Sequence, residues 1–331
     1  MLTAVLLFAA TAAQAASAPP PVSVPPPEEI APGIYLLPGA MLPGRGPDGN
    51  TVVFDAPEGL IVIDTGRHAW HSDGILAFAA ARHRPVAAIV NTHWHLDHSS
   101  GNGRIKAAWP KAAVYTTSAV DRALAEGGFL ARNLASAKPM LDDPKLDELE
   151  REEVQIFVAT MDERKVLRPD VALAQSGDLT IAGRKLAIHV TDRAVTDADV
   201  WLYDVASGVA VIGDLVTLPA PFFETACPTE WRAALDDVWA VPFQTAIPGH
   251  GGPMDRAAFD TYRRAFNGFM DCVEGESGAA QCAAGWGEGI APLIGSDDRM
   301  RRMALEYAEY YVGMLRENGG KSAECLAAPP Q

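Results

Sequence analysis

Residues 91–102 read Asn-Thr-His-Trp-His-Leu-Asp-His-Ser-Ser-Gly-Asn, placing three imidazoles (His93, His95, His98) and one carboxylate (Asp97) close together. A lone histidine is ordinarily a hydrogen-bonded core or surface residue. Packing does not explain this density, and neutral imidazole and carboxylate are the donors that zinc takes alongside thiolate. Trp94 and Leu96 alternate with the donors and are expected to point into an apolar shell. Two distant fragments add donors: Val211-Ile212-Gly213-Asp214 closes one apolar run with an acid, and Ile247-Pro248-Gly249-His250-Gly251 closes another with a histidine in a tight turn. An acid after a strand is by itself a cap or turn residue; beside the cluster it becomes a candidate ligand. Zinc held by such a set lowers the pKa of a bound water toward neutrality and gives a nucleophile for a carbonyl at ordinary pH. Asp97 is the candidate to orient that water or shuttle its proton.

Strands must present these donors. Short apolar runs bounded by Gly, Pro or Asp predict strands at 33–37, 51–55 and 60–64, with helical spacing following at 71–83. Residues 86–92 (VAAIVNT) are a nearly continuous apolar run, expected of a strand buried on both faces, so the histidine loop sits at that strand's C-terminal edge. After a strand at 112–116, residues 118–167 are rich in Ala, Leu, Glu, Lys and Arg and predict two or three helices outside the sheet. Phe129, Leu130, Met140 and Leu141 within them are expected to pack rather than to line a site. Strands resume at 178–181, 185–190, 199–204 and 209–214. A helix at 229–239, capped by Thr229, leads to a strand at 245–247. Residues from 255 onward are helical, with 300–315 the clearest amphipathic stretch. Strand-rich and helical segments in this order imply an α/β chain: a four-layer αββα sandwich with a helical insertion and a helical C-terminal extension.

These motifs resemble those of the metallo-β-lactamase superfamily. They are Asp64-Thr65-Gly66 ending a strand, the His93–His98 loop, Gly213-Asp214 after a strand, and Gly249-His250-Gly251. The resemblance implies a metallo-β-lactamase domain over 30–254 and one or two zinc ions. His93 and His95 would belong to a first metal site, Asp97, His98 and His250 to a second, and Asp214 would lie between them. The chain departs from the family at one position. Thr196-Asp197-Ala198-Asp199 aligns with the family's T-x-G-D, which places Val195 where the remaining first-site histidine belongs, and valine cannot ligate a metal. His189, read as a strand or surface residue, and Asp192 or Asp197 are the nearby alternatives. Three outcomes stay open: one zinc on Asp97, His98, Asp214 and His250, with His93 and His95 orienting substrate or water; a second, weak metal on His93, His95 and Asp214; or a fold that persists without catalysis. The exported signal, the loop and a cysteine-bearing helical extension make the chain look like the quinoprotein relay system zinc metallohydrolase branch. Ester, lactone, thioester and β-lactam substrates remain open.

Residues 1–15 have an apolar run followed by Ala13-x-Ala15, the layout of a secretory signal peptide, and 16–29 form a Pro-rich linker. No later stretch is long and apolar enough for a membrane span. A periplasmic or secreted location makes the four cysteines disulfide candidates, with Cys272–Cys282 as a local staple and Cys227–Cys325 pinning the tail. The net charge of −15 argues against a nucleic-acid partner, leaving a small-molecule substrate. A hydrolase is the first reading. A catalytically weak or inactive periplasmic accessory protein that binds metal is the second. His68 and His71 are expected to be exposed residues at a helix start. The oligomeric state has no signature in the chain.

Overall fold

The computed structural model describes residues 25–326; the signal-peptide reading at 1–15 and most of the linker at 16–29 lie outside them. The first sheet runs in chain order: β1 (Glu28–Ala31), β2 (Ile34–Leu37), β3 (Thr51–Ala56), β4 (Gly59–Ile63), β5 (Val86–Val90), β6 (Ala113–Thr116) and β7 (Val171–Ala172). Its first four strands are antiparallel; β4 to β7 are parallel. The second sheet holds β8 (Gly177–Ile181), β9 (Arg184–Asp192), β10 (Ala198–Asp204), β11 (Val209–Thr217) and β12 (Thr245–His250), ordered β12-β11-β10-β9-β8, with only β11 and β12 parallel.

Side chains alternate across each strand, which sorts the core into layers. On β4, Ile61 and Ile63 meet Ile188, Leu202 and Val211 of the second sheet. Leu60 and Val62 turn outward, toward Ile75 of α1 (Ala69–Ala81) and Ile105 of α3 (Asn102–Ala108). On β10, Val200 and Leu202 face the first sheet, whereas Trp201 and Tyr203 face the helices on the far side. Those helices are α7 (Pro228–Ala240), α8 (Arg256–Glu274), α9 (Ala279–Ile294) and α10 (Asp298–Glu317), whose Trp231, Phe266, Trp286 and Val312 complete the largest cluster. The arrangement is the expected αββα sandwich. Helix α2 (Leu96–Ser99) is a single turn inside the histidine loop. Between β6 and β7 lie α4 (Val120–Leu124), α5 (Phe129–Met140) and α6 (Glu148–Asp162), which pack on Trp94 and Leu96 through Val120, Leu130 and Met161.

The cap of α7 differs from expectation. Cys227 occupies the cap position and Pro228 the first turn, two residues before Thr229 would place them. Proline's fixed φ and missing N–H suit a first helical position, so Pro228 sets the start. Both expected disulfides are formed, Cys227–Cys325 and Cys272–Cys282, with Cα separations of 5.2 and 5.6 Å. The first ties the segment before α7 to α11 (Ala323–Leu326), and the pair is suited to an oxidising compartment. No helix among the described residues is long and apolar enough to cross a membrane.

Candidate metal centre

The six predicted donors converge at one edge of the two sheets. Asp97, His98, Asp214 and His250 each offer a ligand atom within 4.8 Å of the others, and His93, His95 and Asp214 form a second such group sharing Asp214. The histidine loop leaves the C-terminal end of β5, His250 ends β12, and Asp214 sits in β11 where the register with β12 shifts. Asp214 and all four histidines are buried.

Around them, hydroxyls and a carboxylate fix which nitrogen of each ring is free. Asp64 has a positive φ of 59° and turns its carboxylate inward. There it accepts from Thr92 N at 2.8 Å, Thr92 Oγ1 at 2.7 Å and His98 Nδ1 at 2.8 Å. Since Thr92 gives its only hydroxyl proton to Asp64, it accepts from His93 Nδ1 at 3.0 Å. Thr225 Oγ1 likewise donates to Val195 O and accepts from His95 Nε2, both at 2.9 Å. His93 Nε2 and His95 Nδ1 are thereby left as lone pairs, and His98 Nε2 is the ring nitrogen turned toward Asp214, 3.2 Å from its Oδ1.

The unpartnered atoms point to a cation. His93 Nε2 and Asp214 Oδ1 are buried without a hydrogen-bond partner among the described residues. His98 Nε2 lies 3.3 Å from His250 Nε2, which is 2.9 Å from Asp97 Oδ2. Burial disfavours charge on all of them, but Asp214, Asp97 and Asp64 hold His98 well above the ordinary imidazole range. His98 and His250 in turn hold Asp97 and Asp214 below the carboxylate range. At His93 and His95 burial wins, pushing His95 down to about 4, so both are neutral donors near pH 7. Carboxylate charge and free imidazole lone pairs at this spacing fit a divalent metal.

The backbone leaves room for this density only through glycine. A Cβ on Gly249 would lie 1.9 Å from Asp214 Oδ1, and one on Gly49 2.4 Å from the His98 ring. Gly213 has φ +50° and would place a Cβ 2.7 Å from Thr92.

Residues 44–250 match the family model of the metallo-beta-lactamase superfamily. The chain belongs to that superfamily. A linear primary-alkylsulfatase from Pseudomonas sp. (strain ATCC 19151) is 27% identical over 230 residues, covering 61% of this chain. The chain spans only 41% of that relative's length. Among solved structures, a metallo-beta-lactamase family protein from Thermus thermophilus is 20% identical with a TM-score of 0.56, covering 88% of this chain and 95% of its own. The stereoselective inverting sec-alkylsulfatase from Pseudomonas sp. is 17% identical with a TM-score of 0.56, over 92% of this chain and 52% of its own. A metallo-beta-lactamase from Pontibacter korlensis is 16% identical with a TM-score of 0.53, over 73% and 98%. At these identities the structures establish the fold.

Within this superfamily frame, Val195 is buried in the apolar cluster under the second sheet. Its loop is held by Asp199, which accepts from Val195 N at 2.9 Å and from Thr196 Oγ1 at 2.9 Å. None of His189, Asp192 and Asp197 joins a ligand group among the described residues. His189 stacks on Trp201 with ring centroids 3.6 Å apart, and Asp197 pairs with Arg122.

His95, Asp97, Asp214 and His250 floor a cavity of about 830 Å³ whose other walls carry no sequence motif. Phe129, Leu130 and Phe157 of the insertion line it, which corrects the packing-only reading of Phe129 and Leu130; Met140 is exposed. Met303, Tyr307 and Tyr311 of α10 form another wall. His68 and His71 are buried, not exposed. The loop before β3 folds over the start of α1, and Asp48 in it accepts from Arg67 N, His68 N and His68 Nδ1 at 2.7–2.9 Å. His68 Nε2 meets Glu153 of α6 at 2.9 Å, while His71 Nε2 lies 2.8 Å from Thr51 Oγ1. No sequence motif marks Thr225, because a threonine four residues past a Pro-rich turn has no distinctive spacing.

Proposed function

We propose that this chain is an exported, zinc-dependent hydrolase of a small-molecule ester carrying a bulky apolar group, with one tightly held ion. The observation that carries the reading is the pair of ligand groups sharing Asp214 at the floor of an apolar cavity. Asp97, His98, Asp214 and His250 would hold the ion, since this group has four donors where the first site lacks one at Val195. Zinc there supplies Lewis acidity and lowers the pKa of water toward neutrality.

The chain's own residues do the rest. Asp97 is the least buried of the four, and its Oδ2 contacts His250, so it is placed to accept a proton from the attacking water. His93 Nε2 and His95 Nδ1 face Asp214 from the other side and would orient the scissile group. Trp94, Phe129, Phe157 and Phe222 exclude bulk water from the reacting bond and accept an apolar substituent. Carboxylic ester, lactone, thioester and β-lactam substrates share this chemistry. The alkylsulfatase names among the similar proteins add sulfate esters with apolar chains to the substrates to be assayed. An exported chain of this kind, with its two disulfides, suits the periplasm or the cell exterior.

The test is elemental analysis of the purified chain, with hydrolysis assayed on esters of graded chain length. One zinc per chain, lost together with turnover in His250→Ala, is expected. A chain that takes up no metal even from added zinc would overturn the hydrolase reading in favour of an accessory protein.

A further inference from the structure

We infer that the cavity selects substrates bearing a positive charge, an amine or quaternary ammonium group, which Glu224 and the surrounding aromatic faces recognise. The inference deepens the hydrolase reading and rests on it for the word substrate; the binding preference stands apart from turnover.

Glu224 lies in the segment between β11 and α7 that seals the cavity beside His95. On one side of it, the Phe222 ring meets His95 edge-on with centroids 5.2 Å apart. On the other, Thr225 Oγ1 is 2.9 Å from His95 Nε2. Glu224 itself lines the cavity and is half-buried. Its carboxylate has no hydrogen bond or ion pair with any other described residue. Burial pushes its pKa up, as expected for a carboxylate without a compensating partner. A carboxylate withdrawn from water into an apolar wall is unfavourable until an opposite charge or a donor arrives.

Aromatic side chains share the cavity lining with it. Tyr311 of α10 is buried edge-on to Phe223 at 5.3 Å; burial, and after it Glu224's charge, raises its hydroxyl pKa. Tyr310 and Tyr307 continue the face toward solvent, with centroids 5.1 and 6.5 Å from Tyr311. They are 56% and 47% exposed, so the aromatic strip reaches from the half-buried carboxylate to the mouth of the cavity. Ring faces attract a cation through their quadrupole, and a carboxylate beside them adds charge complementarity.

Basic groups in the cavity do not reverse this preference. Arg45 pairs with Glu152 and Glu153, and Arg67 with Glu153. Arg299 donates to Met41 O at the rim. It precedes Tyr307, the nearest tyrosine of the strip, by about two turns, roughly 12 Å along the helix axis, and Tyr311 by roughly 18 Å. With a net charge of −15, the chain as a whole also draws cations toward its mouth.

The experiment is calorimetric titration of the zinc-loaded chain with three amphiphiles of equal alkyl length. Their ends are trimethylammonium, its neutral tert-butyl isostere, and sulfate. The expected result is a Kd at least tenfold lower for the cation than for the isostere, with the ratio falling to near one in Glu224→Gln and inverting in Glu224→Lys. Equal binding of cation and isostere, tighter binding of the sulfate than of the cation by the zinc-free chain, or a ratio unchanged in Glu224→Gln would each overturn the inference. Hydrolysis of matched esters in the same series reports separately on the hydrolase reading. Absence of turnover with a preserved cation preference would sink that reading and leave the recognition site standing.

Discussion

Removing the Cys227–Cys325 disulfide tests how the C-terminal extension is held to the rest of the chain. The perturbation is the double substitution Cys227→Ala and Cys325→Ala, alanine being chosen because both sulfurs are buried and serine would bury two hydroxyls. The cross-link joins residues 98 apart in sequence, whereas Cys272–Cys282 joins residues 10 apart. Loop-closure entropy then assigns about 4.7 kcal/mol to the long loop and about 2.7 kcal/mol to the short one at 25 °C, with measured values more often 2–4 kcal/mol. The contacts released with the tail, Arg193 to the Cys325 carbonyl and Arg132 to Glu324, are partly exposed and add little. The expected outcome is a loss of about 3 kcal/mol for the long-loop pair, and about 2 kcal/mol more than for Cys272→Ala with Cys282→Ala in the entropic account. Urea unfolding followed by circular dichroism and tryptophan fluorescence reads both. A long-loop loss under about 1 kcal/mol, or one smaller than the short-loop loss, would refute the chain-entropy reasoning.

Three further outcomes are expected. Val195→His supplies the missing imidazole and should raise bound zinc from one to two ions per chain, at a packing cost of about 1–3 kcal/mol in a closed core; a count that stays at one means the gap is not what limits the first site. Thr225→Val removes the acceptor that orients His95 and should lower turnover by about tenfold, with Thr225→Ser restoring it; turnover unaffected by the valine would discount Thr225 as a positioning residue. Glu153 is held at about 2 by His68, Gly46 N and Arg67 against the tendency of burial to raise it. A folded pKa depressed in this way contributes stability that is full above the ordinary carboxylate pKa near 4.5 and fades as pH falls toward 2, and after discounting for partial exposure it amounts to about 2 kcal/mol. Glu153→Gln should therefore be less stable by that amount at pH 7 and should flatten the wild-type decline between about pH 4.5 and 2.5; identical slopes in urea unfolding would count against it.

Much of the site is legible because its chemistry is local. His93, His95, Asp97 and His98 declare themselves by density, and β5 by a nearly continuous apolar run of the kind a doubly buried strand carries. Asp214 and His250 gain meaning from the cluster they join. Residues whose role depends on long-range packing stay silent. Thr225 is 130 residues from His95 in sequence, and Glu153 is 85 from His68, so no periodicity links them. The burial of His68 and His71 follows from a loop folding over α1, which composition cannot convey. Helix α10 reads as amphipathic, but the pattern does not say that its tyrosine edge faces a cavity instead of solvent. The start of α7 falls earlier than its threonine cap signal suggests because Pro228 competes with that signal and its fixed φ dominates.

The glycines packed against the ligand rings have a consequence for how this chain tolerates change. At Gly49, Gly213 and Gly249 the space where a methyl group would go is already taken by His98, Thr92 or Asp214. A library of all single substitutions should therefore show dead positions that carry no polar atom, interleaved with the ligands. Glycine to alanine, scored as mild by any measure of chemical resemblance, would be as damaging there as deleting a histidine. Drift in such a chain is confined to the walls of the cavity, where a leucine can become a methionine, while the floor admits only the atoms it already has.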